Sequence, residues 1–151
     1  MITEQMKKDK IAIRPMIPED ISACLEIDRK ITGVGRAVTH DYVRSAELGG
    51  ELVLSFIADF GGKIVGLIMA RRIYVGDPVI ETGLIQILSV DPAYQGQDIG
   101  TKLVNSVLEK CRSLGITTIR VLVNERNSEL QGLFQHLDFY HDHLIDYTKT
   151  L

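Results

Sequence analysis

The stretch Val90-Asp91-Pro92-Ala93-Tyr94-Gln95-Gly96-Gln97-Asp98-Ile99-Gly100-Thr101 decides how the rest of the 151-residue chain is read. A nearly continuous apolar run, Gly83-Leu84-Ile85-Gln86-Ile87-Leu88-Ser89-Val90, leads into it, as expected of a central strand covered on both faces. Asp91-Pro92 turns the chain, and a glycine-bearing loop then feeds a segment in which Ile99, Leu103, Val107, Leu108, Cys111 and Leu114 keep helical spacing. A strand–loop–helix unit of this kind aims free backbone N–H groups, with a helix dipole behind them, at one point in space, and such a point binds phosphate. The same spacing also suits an ordinary strand-to-helix connection. Two other phosphate motifs do not fit. A P-loop needs lysine directly after its last glycine, whereas the order here is Gly100-Thr101-Lys102. A dinucleotide fingerprint needs three glycines at fixed spacing, and this loop has Gly96 and Gly100.

Upstream of this unit, Ile11-Ala12-Ile13-Arg14 alternates like a short strand that Pro15 ends. Pro18 begins a helix that puts Ile21, Cys24, Leu25, Asp28 and Ile31 on one face and breaks at Gly33 and Gly35. A second short helix is expected from Thr39 to Leu48, closed by Gly49-Gly50. Residues 52–59, 63–74 and 79–90 read as three successive strands, the first two joined at Gly61-Gly62. Downstream, residues 116–123 form a β-branched strand. Leu130, Leu133, Phe134 and Leu137 mark an amphipathic helix, with Ser128 and Gln131 as its capping box. Residues 139–148 read as a last strand. The expected order is β-α-α-β-β-β-α-β-α-β, an α/β fold with a mixed, twisted sheet and helices on both faces.

Length and composition agree with a single domain over residues 1–151, whose first ten residues are polar and read as loose. A net charge of −3 argues against a nucleic-acid partner. The longest apolar runs fall short of a bilayer span, and the N-terminus lacks a signal-peptide pattern, so no membrane partner and a cytoplasmic location are expected. Cys24 and Cys111 are expected to stay reduced.

Gln95-Gly96-Gln97-Asp98-Ile99-Gly100 resembles the Gln/Arg-x-x-Gly-x-Gly/Ala motif of the GCN5-related N-acetyltransferase (GNAT) family. Asn127 to Phe139 resembles the family's second signature, Asn-x-x-Ala-x-x-Leu-Tyr-x-x-x-Gly-Phe, with Asn127, Leu133, Phe134 and Phe139 in register. Ile13-Arg14-Pro15 followed by a helix and the element order also match, so the resemblance covers residues 11–148. It implies the acyl-CoA N-acyltransferase fold and transfer of an acetyl or other short acyl group from acetyl-CoA to a primary amine, on a small molecule or a peptide. Gln95, Gly96, Gln97, Asp98, Ile99, Gly100 and Thr101 would hold the pyrophosphate. The backbone of Leu88, Ser89 and Val90 would pair with the pantetheine arm, and Asn127 and Phe134 would flank the thioester end. The resemblance also allows a homodimer through the last strand or the central sheet.

Three departures bear on mechanism. Asp98 stands where the motif has its first glycine. Its carboxylate either caps its own helix, blocking the phosphate cradle, or turns away and leaves the N–H groups open; the second outcome is expected. Asp138 replaces the glycine of the second signature, at a cost if φ is positive there. Phe134 occupies the place of a tyrosine that protonates the leaving thiolate in many relatives, and phenylalanine has no proton to give. The central strand offers Gln86, with Glu81 further back, where relatives place a carboxylate; an amide is no base at neutral pH. Gln86 is expected to be a satisfied buried polar group or a holder of water or substrate. No acid or base is therefore assigned, and catalysis by orientation and carbonyl polarisation is expected.

The acceptor side is expected from residues 27–42 and 74–81, with Asp28, Asp77 and Glu81 as groups that would attract a cationic amine or simply be exposed charges. His136, His141 and His143, with Asp138, Asp142 and Asp146, are weighed as a metal site, but a polar edge strand explains them as well, and no metal is expected. Two alternatives stay open: a coenzyme A-binding module without turnover, and a scaffold that has lost the ligand.

Overall fold

The β-branched and aromatic runs of residues 56–90 can bury both faces only as a central sheet, and the molecule is built around it. The computed structural model describes residues 3, 10–33 and 51–151; the expected loose N-terminus, apart from residues 3 and 10, and the expected helix from Thr39 to Leu48 lie outside these. Strands β1 (Ile11–Pro15), β2 (Phe56–Phe60), β3 (Lys63–Val75), β4 (Ile80–Val90) and β5 (Ile119–Val121) form one sheet in the order β1-β2-β3-β4-β5. The first three pairings are antiparallel and β4–β5 is parallel, so the sheet is mixed as expected. Helix α1 (Ile21–Thr32) follows a 3-10 turn at Pro18–Asp20. Helix α2 (Ile99–Ser113) follows a 3-10 turn at Pro92–Tyr94, and α3 (Ser128–His136) follows β5.

The two faces carry separate cores. Ile21, Cys24 and Ile27 of α1 pack with Ile57, Leu67, Met69 and Ile87. On the other face Ile99, Leu103, Val104, Val107 and Cys111 of α2, with Phe134 of α3, pack with Ala58, Val65, Ile68, Ala70 and Ile85. Each fully buried aliphatic side chain contributes about 1.5–3 kcal/mol. Cys24 and Cys111 thus sit in opposite layers, and burial pushes the Cys24 thiol up to about 12.

Four local expectations are corrected. Leu52 opens a turn, in which Ser55 N–H donates to the Leu52 carbonyl (2.9 Å), so β2 begins only at Phe56. Residues 116–123 supply a strand of three residues, because the chain diverges from β4 after Val121. Residues 139–148 form no strand: no ladder binds them, and Tyr140, Ile145 and Tyr147 are exposed. Their alternation suits a strand, but pairing needs a neighbouring edge, which local pattern does not guarantee. Helix α3 is capped by Asn127 rather than Ser128: Asn127 Oδ1 accepts from Leu130 N–H (3.0 Å), while Gln131 Nε2 donates to the carbonyls of Asn124 (3.1 Å) and Glu125 (2.8 Å).

Asp20 ties the start of α1 to β1. Its carboxylate accepts from both terminal nitrogens of Arg14 (2.8 and 2.9 Å) and from Ile17 N–H (2.9 Å). Burial raises its pKa, but the Arg14 and Ile17 hydrogen bonds outweigh burial and hold it below the usual carboxylate value. A depressed folded pKa stabilises above the unfolded value, and that stabilisation is lost as pH falls through the folded one. Asp20→Asn is therefore expected to cost about 1–3 kcal/mol at pH 7 in urea melts, the gap to wild type closing only below the usual carboxylate range.

Candidate active site

The site begins where the parallel ladder ends. β4 pairs with β5 only through Gly83↔Ile119, Leu84↔Arg120 and Ile85↔Val121. Beyond this, Ile87, Leu88, Ser89 and Val90 keep their β3 partners, Gln86 sits at a bulge, and among the described residues the β5 pairing does not extend to them. Leu122, the first residue past β5, is already 77% exposed, consistent with the divergence. The outcome is a gap between β4 and the chain after β5, opening past Ile85↔Val121.

The bulge lies between Met69/Ala70 on β3, which pair with Ile87 and Ile85, so Gln86 falls out of register. Ile85 belongs to the α2-side core and Ile87 to the α1-side core. Residues two apart share a face on a regular strand, so the bulge reverses the strand's facing just past the last β5 pairing. Gln86 is exposed, which corrects the expectation of a buried polar group and leaves it as a side chain able to hold water or substrate.

The loop after β4 brings residues 95–101, the expected phosphate cradle, to the same end of the gap. Asp91 Oδ1 accepts from Ala93 N–H (3.0 Å), capping the Pro92–Tyr94 turn, and its Oδ2 accepts from Lys30 Nζ (3.0 Å). Burial raises the Asp91 pKa, but the Ala93 N–H and Lys30 more than offset this and hold it below the usual value. Gly96 has φ +79° and open space where a Cβ would stand, a conformation that suits glycine and lets a ligand approach the backbone. Lys102 N–H is the first in α2 to find an internal acceptor, the Asp98 carbonyl (3.0 Å), so the N–H groups of Ile99, Gly100 and Thr101 have no intrahelical acceptor.

Asp98 has φ +60° and makes no side-chain cap to α2. The carboxylate therefore does not cap its own helix, and the left-handed backbone explains why glycine suits the position. Asp138, after α3, has φ +65° for the same reason. Gln97 was expected in the cradle but is buried (4% exposed), and its Oε1 has no hydrogen-bond partner.

Leu88, Gly100 and Leu133 show that the three elements converge. A Cβ on Gly100 would lie 3.4 Å from Leu133 Cδ2 and 4.0 Å from Leu88 Cδ2. On the connection from β5 to α3, an open cavity of about 460 Å³ is lined by Asn124, Arg126, Asn127, Ser128 and Glu129. Phe134 is buried (4% exposed) and packs edge-on against Phe139, so it supports the site from below.

The acceptor candidates separate. Asp28 is fully buried in α1, which overturns its reading as an exposed charge. Glu81 accepts from Arg72 Nε (2.9 Å) and an Arg72 terminal nitrogen (2.7 Å), and Asp77 is exposed at the β3–β4 tip. Asp142 is held by Arg120 and lies 2.8 Å from His143 Nδ1. Among the described residues no three His, Cys, Asp or Glu side chains gather as a metal site, and no helix is long and apolar enough to cross a membrane.

A split β4–β5 pair with a helix N-terminus at its open end completes a mixed α/β sheet fold. The sequence profile described as the Acetyltransferase (GNAT) family matches residues 21–139, and the chain belongs to that family, whose members use acetyl-CoA. It is 32% identical over 62 residues to mycothiol acetyltransferase from Beutenbergia cavernae, a match covering 41% of this chain and 21% of that protein. The chain thus matches about a fifth of that relative's length. The fold is similar to ribosomal-protein-alanine N-acetyltransferase from Brucella melitensis biovar Abortus 2308 (TM-score 0.74, 10% identity, 93% of this chain and 99% of that one). It is also similar to diaminobutyrate acetyltransferase from Paenibacillus lautus in complex with L-2,4-diaminobutyric acid and coenzyme A (TM-score 0.69, 20% identity, 84% and 74%).

Proposed function

We propose that this chain transfers an acetyl group from acetyl-CoA to a primary amine by orienting the two reactants, with no side chain acting as strong acid or base. The observation that carries the reading is the end of the β4–β5 ladder at Ile85↔Val121, after which Leu88, Ser89 and Val90 run on beyond the β5 pairing toward the α2 N-terminus. Gln95, Gly96, Gln97, Asp98, Ile99, Gly100 and Thr101 hold the pyrophosphate, chiefly through backbone N–H groups. The edge of Leu88, Ser89 and Val90 beyond the β5 pairing faces the pantetheine arm and sets the depth of the thioester. A backbone N–H of that edge polarises the thioester carbonyl, and Asn127 borders it.

The amine nitrogen attacks the carbonyl carbon, the new C–N bond forms, the C–S bond breaks, and the thiolate leaves as the nitrogen loses its proton to solvent. Phe134 has no proton for the thiolate, and Gln86 offers an amide that holds water or substrate but is no base. Positioning of this kind supplies a large share of a barrier reduction by itself. The acceptor is an amine carried by a small molecule or a peptide, approaching from the side of the β3–β4 tip, where Asp77 is exposed. A panel of amino acids, polyamines, aminoglycosides and peptides, assayed by thiol release from acetyl-CoA, is expected to show turnover with at least one amine class. Coenzyme A binding with no turnover across the panel would favour a non-catalytic binding module instead.

A further inference from the structure

The turn between the end of β4 and the loop of residues 95–101 is held from both layers of the molecule. From the α1 side, Lys30 in the last turn of that helix donates to Asp91 (3.0 Å), whose side chain is only 5% exposed. From the α2 side, the Tyr94 ring packs against Phe60 (centroids 5.5 Å apart), with Lys63 Nζ 5.5 Å above it. The Asp91 backbone is also fixed: its N–H donates to the Val65 carbonyl (2.8 Å), and its carbonyl accepts from Tyr94 N–H (2.8 Å).

These braces matter because one ligand is gripped at two places. The edge at residues 88–90 takes the pantetheine arm and the backbone at residues 95–101 takes the phosphates. Residues 91–94 therefore set the spacing between the two grips, which the ligand's flexible arm must bridge within its maximum extension. We propose that Lys30 is a positioning residue for coenzyme A: through Asp91 it fixes this spacing, and so makes cosubstrate affinity depend on the seating of α1. The proposal rests on the reading of residues 88–101 as the coenzyme A site. Lys30 itself touches no ligand in this account. Its Nζ is committed to Asp91, which is 61 residues distant in sequence and caps the Pro92–Tyr94 turn with its other oxygen.

The test is calorimetric titration of coenzyme A into the full chain as wild type, Lys30→Met, Lys30→Arg, Asp91→Asn and the Lys30→Met/Asp91→Asn double variant. Lys30→Met is expected to weaken binding about tenfold, and Lys30→Arg to restore it to within about threefold. The double variant is expected to bind no more weakly than the weaker single one, because both changes break one contact. Adenosine 3′,5′-bisphosphate, which engages only the phosphate end, should lose less than about threefold on Lys30→Met, since spacing does not affect a single grip. Melting without ligand identifies a variant that fails to fold, and Lys30→Arg and Asp91→Asn then carry the test. Equal binding by wild type and Lys30→Met, additive losses in the double variant, or an equal loss for the bisphosphate would overturn the proposal. A wild type that fails to bind coenzyme A overturns the underlying site instead, so the two failures are distinguishable.

Discussion

Gly66→Val is expected to weaken coenzyme A binding about 100-fold while costing about 1–3 kcal/mol of stability. A Cβ at Gly66 would stand 3.0 Å from Ile99 Cγ2, 3.4 Å from Leu103 Cδ1 and 3.4 Å from the Ser89 carbonyl oxygen. Ile99 is the first residue of α2, so the valine methyls push the helix N-terminus away from the sheet. The stability cost is modest because the rest of α2 keeps its core contacts. The binding cost is large because the N–H groups of residues 99–101 move relative to the end of β4. Urea melts and titration measure the two effects separately; binding within about threefold of wild type would show that the α2 N-terminus is not the cradle.

Phe134→Ala has the largest expected effect on stability, a loss of about 3–5 kcal/mol. The ring is buried in the α2-side core and sits 5.0 Å from Phe139 at 66°, an edge-to-face pair that accounts for about 1 kcal/mol of the loss. Phe139 N–H also donates to the Phe134 carbonyl (2.9 Å), so the pair closes the end of α3. Phe134→Tyr addresses chemistry. The added hydroxyl enters a buried position, at a cost of about 1–3 kcal/mol if it finds no partner, and the rate of thiol release is expected to stay within about twofold of wild type. A tenfold gain in rate would mean that a proton donor at this position reaches the thiolate, and that orientation alone does not describe the mechanism.

The strand–loop–helix unit was legible in the sequence because each of its parts carries a local signal: an unbroken apolar strand, a turn with proline and glycine, and a helical apolar stripe. The sheet and the two layers follow from the same periodicities. Asp98 and Asp138 stand out because each occupies a position where the family has glycine, and both have positive φ. What was not legible depends on contacts between distant segments. The bulge at Gln86 arises from the register between β3 and β4, and a single strand does not show its own register. The Lys30–Asp91 contact joins groups 61 residues apart, each of which alone reads as an ordinary helix or turn charge. Residues 139–148 have strand composition but pair with no edge among the described residues. Gln97 looks like a solvated loop residue, yet the fold of residues 95–98 buries it with one acceptor unused.

Coenzyme A titrated into wild type and Asp98→Gly in parallel tests the central claim most directly. Asp98 is exposed, carries its charge at the N-terminal end of α2 and has a left-handed backbone without capping that helix. Glycine removes both the charge and a strain of about 1 kcal/mol. The expected result is micromolar binding by wild type, about −8 kcal/mol at 1 μM, and binding about three- to tenfold tighter by Asp98→Gly. Absence of binding by both proteins would contradict the claim that the β4 edge and the α2 N-terminus form an acetyl-CoA site.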